Sequence, residues 1–369
     1  MNLRVRDRLI FWLHCVLAKT GRIQAAALED IRRDGFKRIL VVATTAIGDA
    51  VLCAPLLKSL KNSRPDLHLG FWVQNGAVPL FEGLCGADVV LPYHGKYRCV
   101  RETLKDLRNQ RFDLALIANA NDPDIIPLLW WSGCRRLIRR PQRNTIYHFM
   151  IANPEMLSPS HTTGHAIERN LQFCDLLGLP RGEARTRLMV KPEADERVRA
   201  ILNRMPKPWI CIHPGASQPR KQWPADRFAA LARRILDRTS GTVVLTGSRG
   251  EQQICHQVAG DLGGDRRLVN LAGILRLDEL AALFHSAGLL ISGDTGPYHI
   301  GMAVDVPTVT LFAPWDVGSS PAINGPAFDL QSHRAVATAA IGDPITSIEV
   351  DRVFRECEPF LFSRPDGGE

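Results

Sequence analysis

Apolar residues along the chain fall into short, β-branched runs bounded by turn-formers, and stretches of ten or more residues with helical periodicity separate them. Runs at 38–44, 68–74, 88–93 and 114–119 predict strands in the first half, each followed by an amphipathic stretch that can return the chain for parallel pairing. The pattern restarts at 209–214, 242–247, 268–271, 289–292 and 308–312. Between the halves, residues 179–185 are rich in turn-formers and charge and predict a linker, with a boundary near 185. The fold class expected is therefore α/β, with two open parallel sheets in tandem. Each offers a ligand crevice at the carboxyl ends of its strands, and two facing crevices make one cleft suited to a two-substrate enzyme. On this reading residues 1–30 are an amphipathic helical extension, 31–185 and 186–345 two Rossmann-like domains, and 346–369 a C-terminal helix and tail.

The length, 369 residues, agrees with two cores rather than one. Hydrophobic residues at 45% and charged residues at 23% exclude a disordered chain or a disulfide scaffold. The 46 Lys and Arg against 38 Asp and Glu leave a formal charge of +8, which points to an anionic partner without naming it. Nine cysteines are scattered with no CxxC pair, so reduced, mostly buried thiols in a cytoplasmic protein are expected. No apolar run reaches the roughly 18 residues a membrane span needs. The leading run, 9–18, is broken by His14 and flanked by Arg4, Arg6, Arg8, Lys19 and Arg22. It predicts a retained helix that lies in a membrane interface, packs on the following domain or serves in dimerisation.

Candidate chemistry gathers where strands give way to helices. In Thr44-Thr45-Ala46-Ile47-Gly48-Asp49-Ala50, Gly48 allows a tight turn and Asp49 stands where the next helix begins. An Asp there either caps the helix or, ionised at its ordinary pKa of about 3.9, accepts a proton from a substrate hydroxyl. In the second half, His213-Pro214-Gly215-Ala216-Ser217 leaves a strand and Arg220-Lys221-Gln222-Trp223-Pro224 leads to a helix near 224 or 225. Small residues let backbone approach a ligand and Lys221 can meet a phosphate, although P-loop spacing is absent; Trp223 reads as packing. Ser292-Gly293-Asp294-Thr295-Gly296-Pro297-Tyr298-His299 brings a strand to a helix N-terminus. Backbone N–H groups, the Thr295 hydroxyl and the small Gly296 suit a diphosphate there. Asp294 can cap the helix, hold the loop or accept from sugar hydroxyls, and His299 is either structural or a donor to phosphate. Glu251, after a third strand-to-helix turn, binds a ribose hydroxyl or simply starts its helix. Two basic groups, Lys96 with Arg98 and Arg101, and Arg135, Arg136, Arg139, Arg140 and Arg143 near Trp130-Trp131, are either anion-binding or solvated faces. Neither comes with a nucleic-acid-binding pattern, so no nucleic acid is expected.

Taken together, these segments resemble glycosyltransferase family 9, the heptosyltransferases that build the inner core of Gram-negative lipopolysaccharide. The carriers are the Gly48-Asp49 turn with Leu52 and Pro55 after it, the segment from His213 to Pro224, and Ser292 to His299 followed by Val306-Pro307-Thr308. The resemblance implies a GT-B architecture, two Rossmann-like domains facing each other across a cleft, with acceptor bound mainly by the first and an ADP-linked sugar mainly by the second. It implies inverting, metal-independent transfer in which the Asp matching Asp49 takes the acceptor proton. Ser217, Lys221, Glu251, Asp294, Thr295, Gly296 and His299 then fall on the donor side, and Gly48, Lys96, Arg98 and Arg101 on the acceptor side. Cofactor and metal are expected to be absent, the co-substrate to be a nucleotide sugar such as ADP-heptose, and the acceptor an anionic lipopolysaccharide-core glycolipid. Peripheral contact with the cytoplasmic face of the inner membrane is a further expectation. The chain departs from the family in carrying Gly301-Met302 where many relatives have small alanines, Ala313 where Gly is frequent, and the leading extension. A family member using another nucleotide sugar and glycan, and a non-catalytic nucleotide-sugar-binding protein, are the alternatives.

Overall fold

The computed structural model describes residues 4–83, 86–140, 146–153 and 164–361. They form two compact units that divide between Thr186 and Arg187. In the first, helices α1 (Val5–Lys19) and α2 (Leu28–Asp34) precede β1 (Arg38–Ala43), α3 (Ile47–Val51), α4 (Ala54–Ser63) and β2 (His68–Gln74). There follow α5 (Val78–Phe81), β3 (Val89–Tyr93), α6 (Val100–Gln110), β4 (Leu114–Asn119), α7 (Ile125–Ser132), β5 (Leu137–Arg139) and α8 (Ala166–Leu177). The strands are parallel in the order β3-β2-β1-β4-β5. Helices cover both faces of such a sheet, which is why β1 reads Ile-Leu-Val-Val-Ala without alternation and is buried from Ile39 to Ala43.

The second unit runs α9 (Pro192–Ile201), β6 (Trp209–His213), α10 (Ala225–Arg238), β7 (Thr242–Leu245), α11 (Gln252–Gly260), β8 (Leu268–Asn270) and α12 (Leu277–His285). It ends with β9 (Leu289–Gly293), α13 (Gly296–Ala303), β10 (Thr308–Phe312), α14 (Pro321–Asn324), β11 (His333–Ala337) and α15 (Val350–Leu361). Its parallel order is β11-β10-β9-β6-β7-β8. Phe228, Leu231, Ala232 and Ile235 of α10 recur at helical spacing and enter one core with Val353, Phe354 and Cys357 of α15. The C-terminal helix is thus part of the second unit's core.

All nine expected strands are present, three with the expected bounds and six with one end shifted by one or two residues. Two short outer strands, β5 and β11, were not expected. Gly48 does not make a tight turn: it is the buried second residue of α3, and the turn is made by Thr44, Thr45 and Ala46. Helix α1 packs on the first unit by one face, where Phe11 meets the Tyr147 ring edge-on at 5.4 Å and Leu17 and Ala18 reach the core. The described cysteines are free, and most are buried. Cys85, Arg143 and the tail at 364–369 lie outside the described residues.

Gly301 has a packing reason. A Cβ there would stand 2.4 Å from Leu290 Cδ2 and 3.2 Å from Val306 Cγ1, both sealed in the core. Gly301→Ala should therefore destabilise by about 1–2 kcal/mol, the overpacking cost less the gain in helix propensity, read as a lower urea midpoint at unchanged slope.

Candidate active site

In a doubly wound sheet the crevice opens where strand order reverses, here between β1 and β4 in the first unit and between β6 and β9 in the second. After β1, the Thr44 N–H donates to the Asn119 carbonyl at 2.7 Å and ties the loop to the end of β4. Ala46 is the residue before α3, so Asp49 sits third in that helix rather than capping it, with its half-buried carboxylate in the first turn. A negative charge is favoured there by the helix dipole.

Asp49 shares its surroundings with guanidinium groups. Arg140 follows β5, and burial lowers its pKa while Asp49 and Cys53 raise it. Arg169 of α8 is lowered to about 10 by burial and then by Arg140, with Asp49 opposing. Arg139, buried and donating to the Ala120 carbonyl at 2.7 Å, is also lowered to about 10 by burial and by Arg140. Asn170 fixes the arrangement, accepting from Arg140 at 3.3 Å and donating to the Leu52 carbonyl at 2.8 Å. Asp49 thus shares its electrostatic surroundings with Arg140 and Arg169.

On the other side of β1 a cavity of about 390 Å³ is lined by Thr44, Thr45, Gln74, Tyr93, Asn121 and Asp122, with His94 and Gly95 at its margin. Lys96 reaches it through Asp122, 3.6 Å from Nζ to Oδ1. Arg98 and Arg101 are exposed just beyond, at the start of α6. The expected acceptor-side cations therefore follow β3, two strands away from the β1 end that carries Asp49. Among the described residues, Arg140 and Arg169 are cations whose charge couples to Asp49. Sequence reading placed Arg140 only in a basic group and missed Arg169, which a helix far along the chain brings in with no local motif.

At the second crevice, the loop after β6 meets the loop after β9. Lys221 Nζ lies 2.6 Å from Asp294 Oδ2 and 3.1 Å from the Asp294 carbonyl oxygen, and both side chains are mostly buried. The backbone loops touch as well: a Cβ on Gly293 would stand 3.0 Å from the Lys221 carbonyl oxygen. His299, one turn into α13 and buried, has Nε2 3.9 Å from Asp294 Oδ1. Thr295 precedes α13 in extended conformation, Gly296 is its first residue and Pro297 its second. Among the roles open to Asp294, the geometry supports holding the loop, because it pins Lys221 beside the helix N-terminus. Arg220 stacks on Trp315 at 3.5 Å, and Lys221 stands 5.2 Å from the same ring. Trp223 is packing: it is buried, edge-on to Phe228 at 4.9 Å, and donates to the Ile348 carbonyl at 3.0 Å.

Glu251 lies under the first of these loops. Its carboxylate accepts from the Ser248 N–H at 2.7 Å and stands 3.7 Å from His213 Nε2. His213, assisted by Ser248, holds its pKa at about 2. Gly215 leaves room for this carboxylate, since a Cβ there would collide with the Glu251 side chain where it now lies. The carboxylate is engaged in the fold, whatever else it binds, while Ser217 is exposed on the same loop. Among the described residues no group of three or more His, Cys, Asp or Glu side chains is arranged to hold a metal ion.

The family model described as glycosyltransferase family 9 (heptosyltransferase) matches residues 100–339, which include Lys221, Glu251, Asp294 and His299. The chain is 26% identical over 283 residues to lipopolysaccharide heptosyltransferase 3 of Escherichia coli K12, covering 73% of this chain and 80% of that protein. It is 25% identical over 350 residues to lipooligosaccharide heptosyltransferase 2 of Haemophilus ducreyi, covering 88% and 99%. Among solved structures, E. coli ADP-heptose lipopolysaccharide heptosyltransferase II superposes with a TM-score of 0.69 at 22% identity, covering 88% of this chain and 98% of that one, a likeness of GT-B fold. The match across well over half of its length shows that the chain belongs to glycosyltransferase family 9, the heptosyltransferase family.

Proposed function

We propose that the protein is an inverting glycosyltransferase that moves a heptose from ADP-heptose to an anionic lipopolysaccharide inner-core acceptor, with Asp49 as general base. The observation that carries this reading is the placement of Asp49 in the first turn after β1, with Arg140 and Arg169 electrostatically coupled to it. A carboxylate so placed accepts the acceptor hydroxyl's proton as that oxygen attacks the anomeric carbon and the nucleoside diphosphate departs. Arg140 and Arg169 hold an acidic group of the acceptor beside the base. Lys96, Arg98 and Arg101 extend the acceptor surface along the same edge.

Departure of the diphosphate concentrates negative charge on its bridging oxygen. Lys221, the N–H groups at the start of α13 and His299 meet that charge, so the transfer runs without a metal ion. Asp294 orients Lys221, Thr295 and Gly296 let the diphosphate approach, and Ser217 and Glu251 contact the sugar and ribose. The names of the E. coli and Haemophilus relatives support heptose as the sugar and the lipopolysaccharide core as the acceptor. An acceptor of this kind places the enzyme in the cytoplasm, at the inner face of the inner membrane.

Asp49→Asn should lower transfer by about 10²–10⁴ while ADP affinity, titrated calorimetrically in EDTA beside UDP, GDP and CMP, stays at the wild-type value. Preference for another nucleotide would replace the sugar, and transfer insensitive to Asp49→Asn would remove it as base. Arg169→Gln should raise the acceptor KM by about tenfold or more with donor KM unchanged, the cost of one charge-assisted contact; equal effects on both substrates would count against acceptor binding. Glu251 has its folded pKa below the unfolded one, so its contribution to stability is present above about pH 4.5 and is lost as pH falls toward 2. Glu251→Gln should accordingly melt earlier than wild type at pH 7, by about 1–3 kcal/mol, with the gap narrowing below about pH 4.5.

A further inference from the structure

Helix α1 is apolar on two opposite faces, and the fold uses one of them. Inward go Phe11, Leu17 and Ala18, with His14 buried beside the Tyr147 and Trp131 rings at 5.6 and 5.8 Å. Outward go Val5, Leu9, Trp12, Leu13 and Val16, which are 74%, 62%, 64%, 46% and 36% exposed. At about 100° per residue these five fall within one arc of roughly 100°. The other large exposed apolar side chains among the described residues are scattered over the second unit, so this stripe is the one that a single element concentrates.

The charges around the stripe are of one sign. Arg4, Arg8 and Lys19 are exposed along it and Arg22 lies just past its end. The helix's single acid, Asp7, is turned inward and buried, 3.7 Å from Arg6 and accepting from the Arg4 N–H at 3.2 Å. Arg6 also lies over the Tyr97 ring at 4.4 Å and donates to the Lys96 carbonyl at 3.3 Å, which joins the start of α1 to the exposed Lys96, Arg98 and Arg101.

We infer that the outward face of α1 docks the first unit on an anionic phospholipid surface. An apolar stripe with a Trp at its middle and cations at its rim is the pattern that lies in the plane of a charged interface. At 15 residues the helix is about 22 Å long, a length for lying on a bilayer rather than crossing it. A second copy of the chain is a poorer occupant, because a two-fold pairing of this face would bring Arg4, Arg8 and Lys19 against their own kind with no acid between them. The anchoring of α1 to the loop after β3 sets the docked face beside the sheet edge that carries Asp49. Its use in catalysis rests on the lipid-borne acceptor proposed above; the docking itself does not.

The test is flotation of the full chain with vesicles of phosphatidylethanolamine and phosphatidylglycerol, against vesicles of phosphatidylcholine alone. Wild type should float with the anionic vesicles and release as salt is raised. The double variant Trp12→Ser, Leu13→Ser should bind at least about tenfold more weakly at an unchanged melting temperature, since both side chains are already exposed. Arg4→Glu, Arg8→Glu should lose the preference for anionic lipid. Equal binding to both vesicle types, or flotation unaffected by the double variant, would overturn the inference. So would light scattering that finds a dimer which the double variant dissociates and no vesicle binding, since the face then belongs to a second copy. Transfer to a detergent-dispersed acceptor separates this idea from the enzymatic one. The double variant should keep that activity within about twofold, and Asp49→Asn should float like wild type while losing it.

Discussion

Parallel pairing of β1 between β2 and β4, and of β6 between β7 and β9, is the constraint on which both crevices depend. Parallel strands all end on one edge, so every loop that leaves that edge is brought alongside the others. Helices returning over both faces leave the reversal of strand order as the place where two neighbouring loops diverge and backbone can line a gap. Asp49 and Lys221 occupy equivalent places in this sense: each follows the strand at which its sheet reverses. Nothing about either residue alone selects it from the other acids and lysines of the chain.

Charge burial is the second theme, and the two crevices handle it differently. Lys221 meets a single carboxylate, Asp294, at 2.6 Å, and the pair is close to neutral. Around Asp49, by contrast, two guanidinium groups, those of Arg140 and Arg169, couple to the carboxylate, and burial has lowered the pKa of each. Enclosed charge of one sign costs stability unless something compensates it. Carbonyl and amide groups such as those of Ala120 and Asn170 offset part of that cost.

How much of this was legible in the sequence follows from how local each signal is. The buried strands announce themselves because a parallel sheet covered on both faces demands unbroken β-branched runs, as in Ile39 to Val42. Strands β5 and β11 do not: Leu137-Ile138-Arg139 is three residues long, and in His333-Arg334-Ala335-Val336-Ala337 at the sheet's edge only His333 and Val336 are buried, so neither makes such a run. The loops around Asp49, Lys221 and Asp294 were readable as strand-to-helix junctions. That Lys221 pairs with Asp294, and that Arg169 faces Asp49, are tertiary facts between residues far apart in the chain. Gly48 misled because glycine before an acid suggests a turn, whereas here the helix begins one residue earlier.

Trp223 closes the loop that carries Lys221. Its indole is wedged into the core against Phe228 and tied to the Ile348 carbonyl, and the loop's other end is the last residue of β6. The short stretch between is therefore tethered at both ends by groups that order as the unit folds. Conformational freedom that a loose phosphate-binding loop would surrender when its ligand arrives has here been surrendered already. A diphosphate meets a cation whose position is a property of the folded chain, and the strength of that encounter is set by electrostatics rather than diminished by the ordering of backbone.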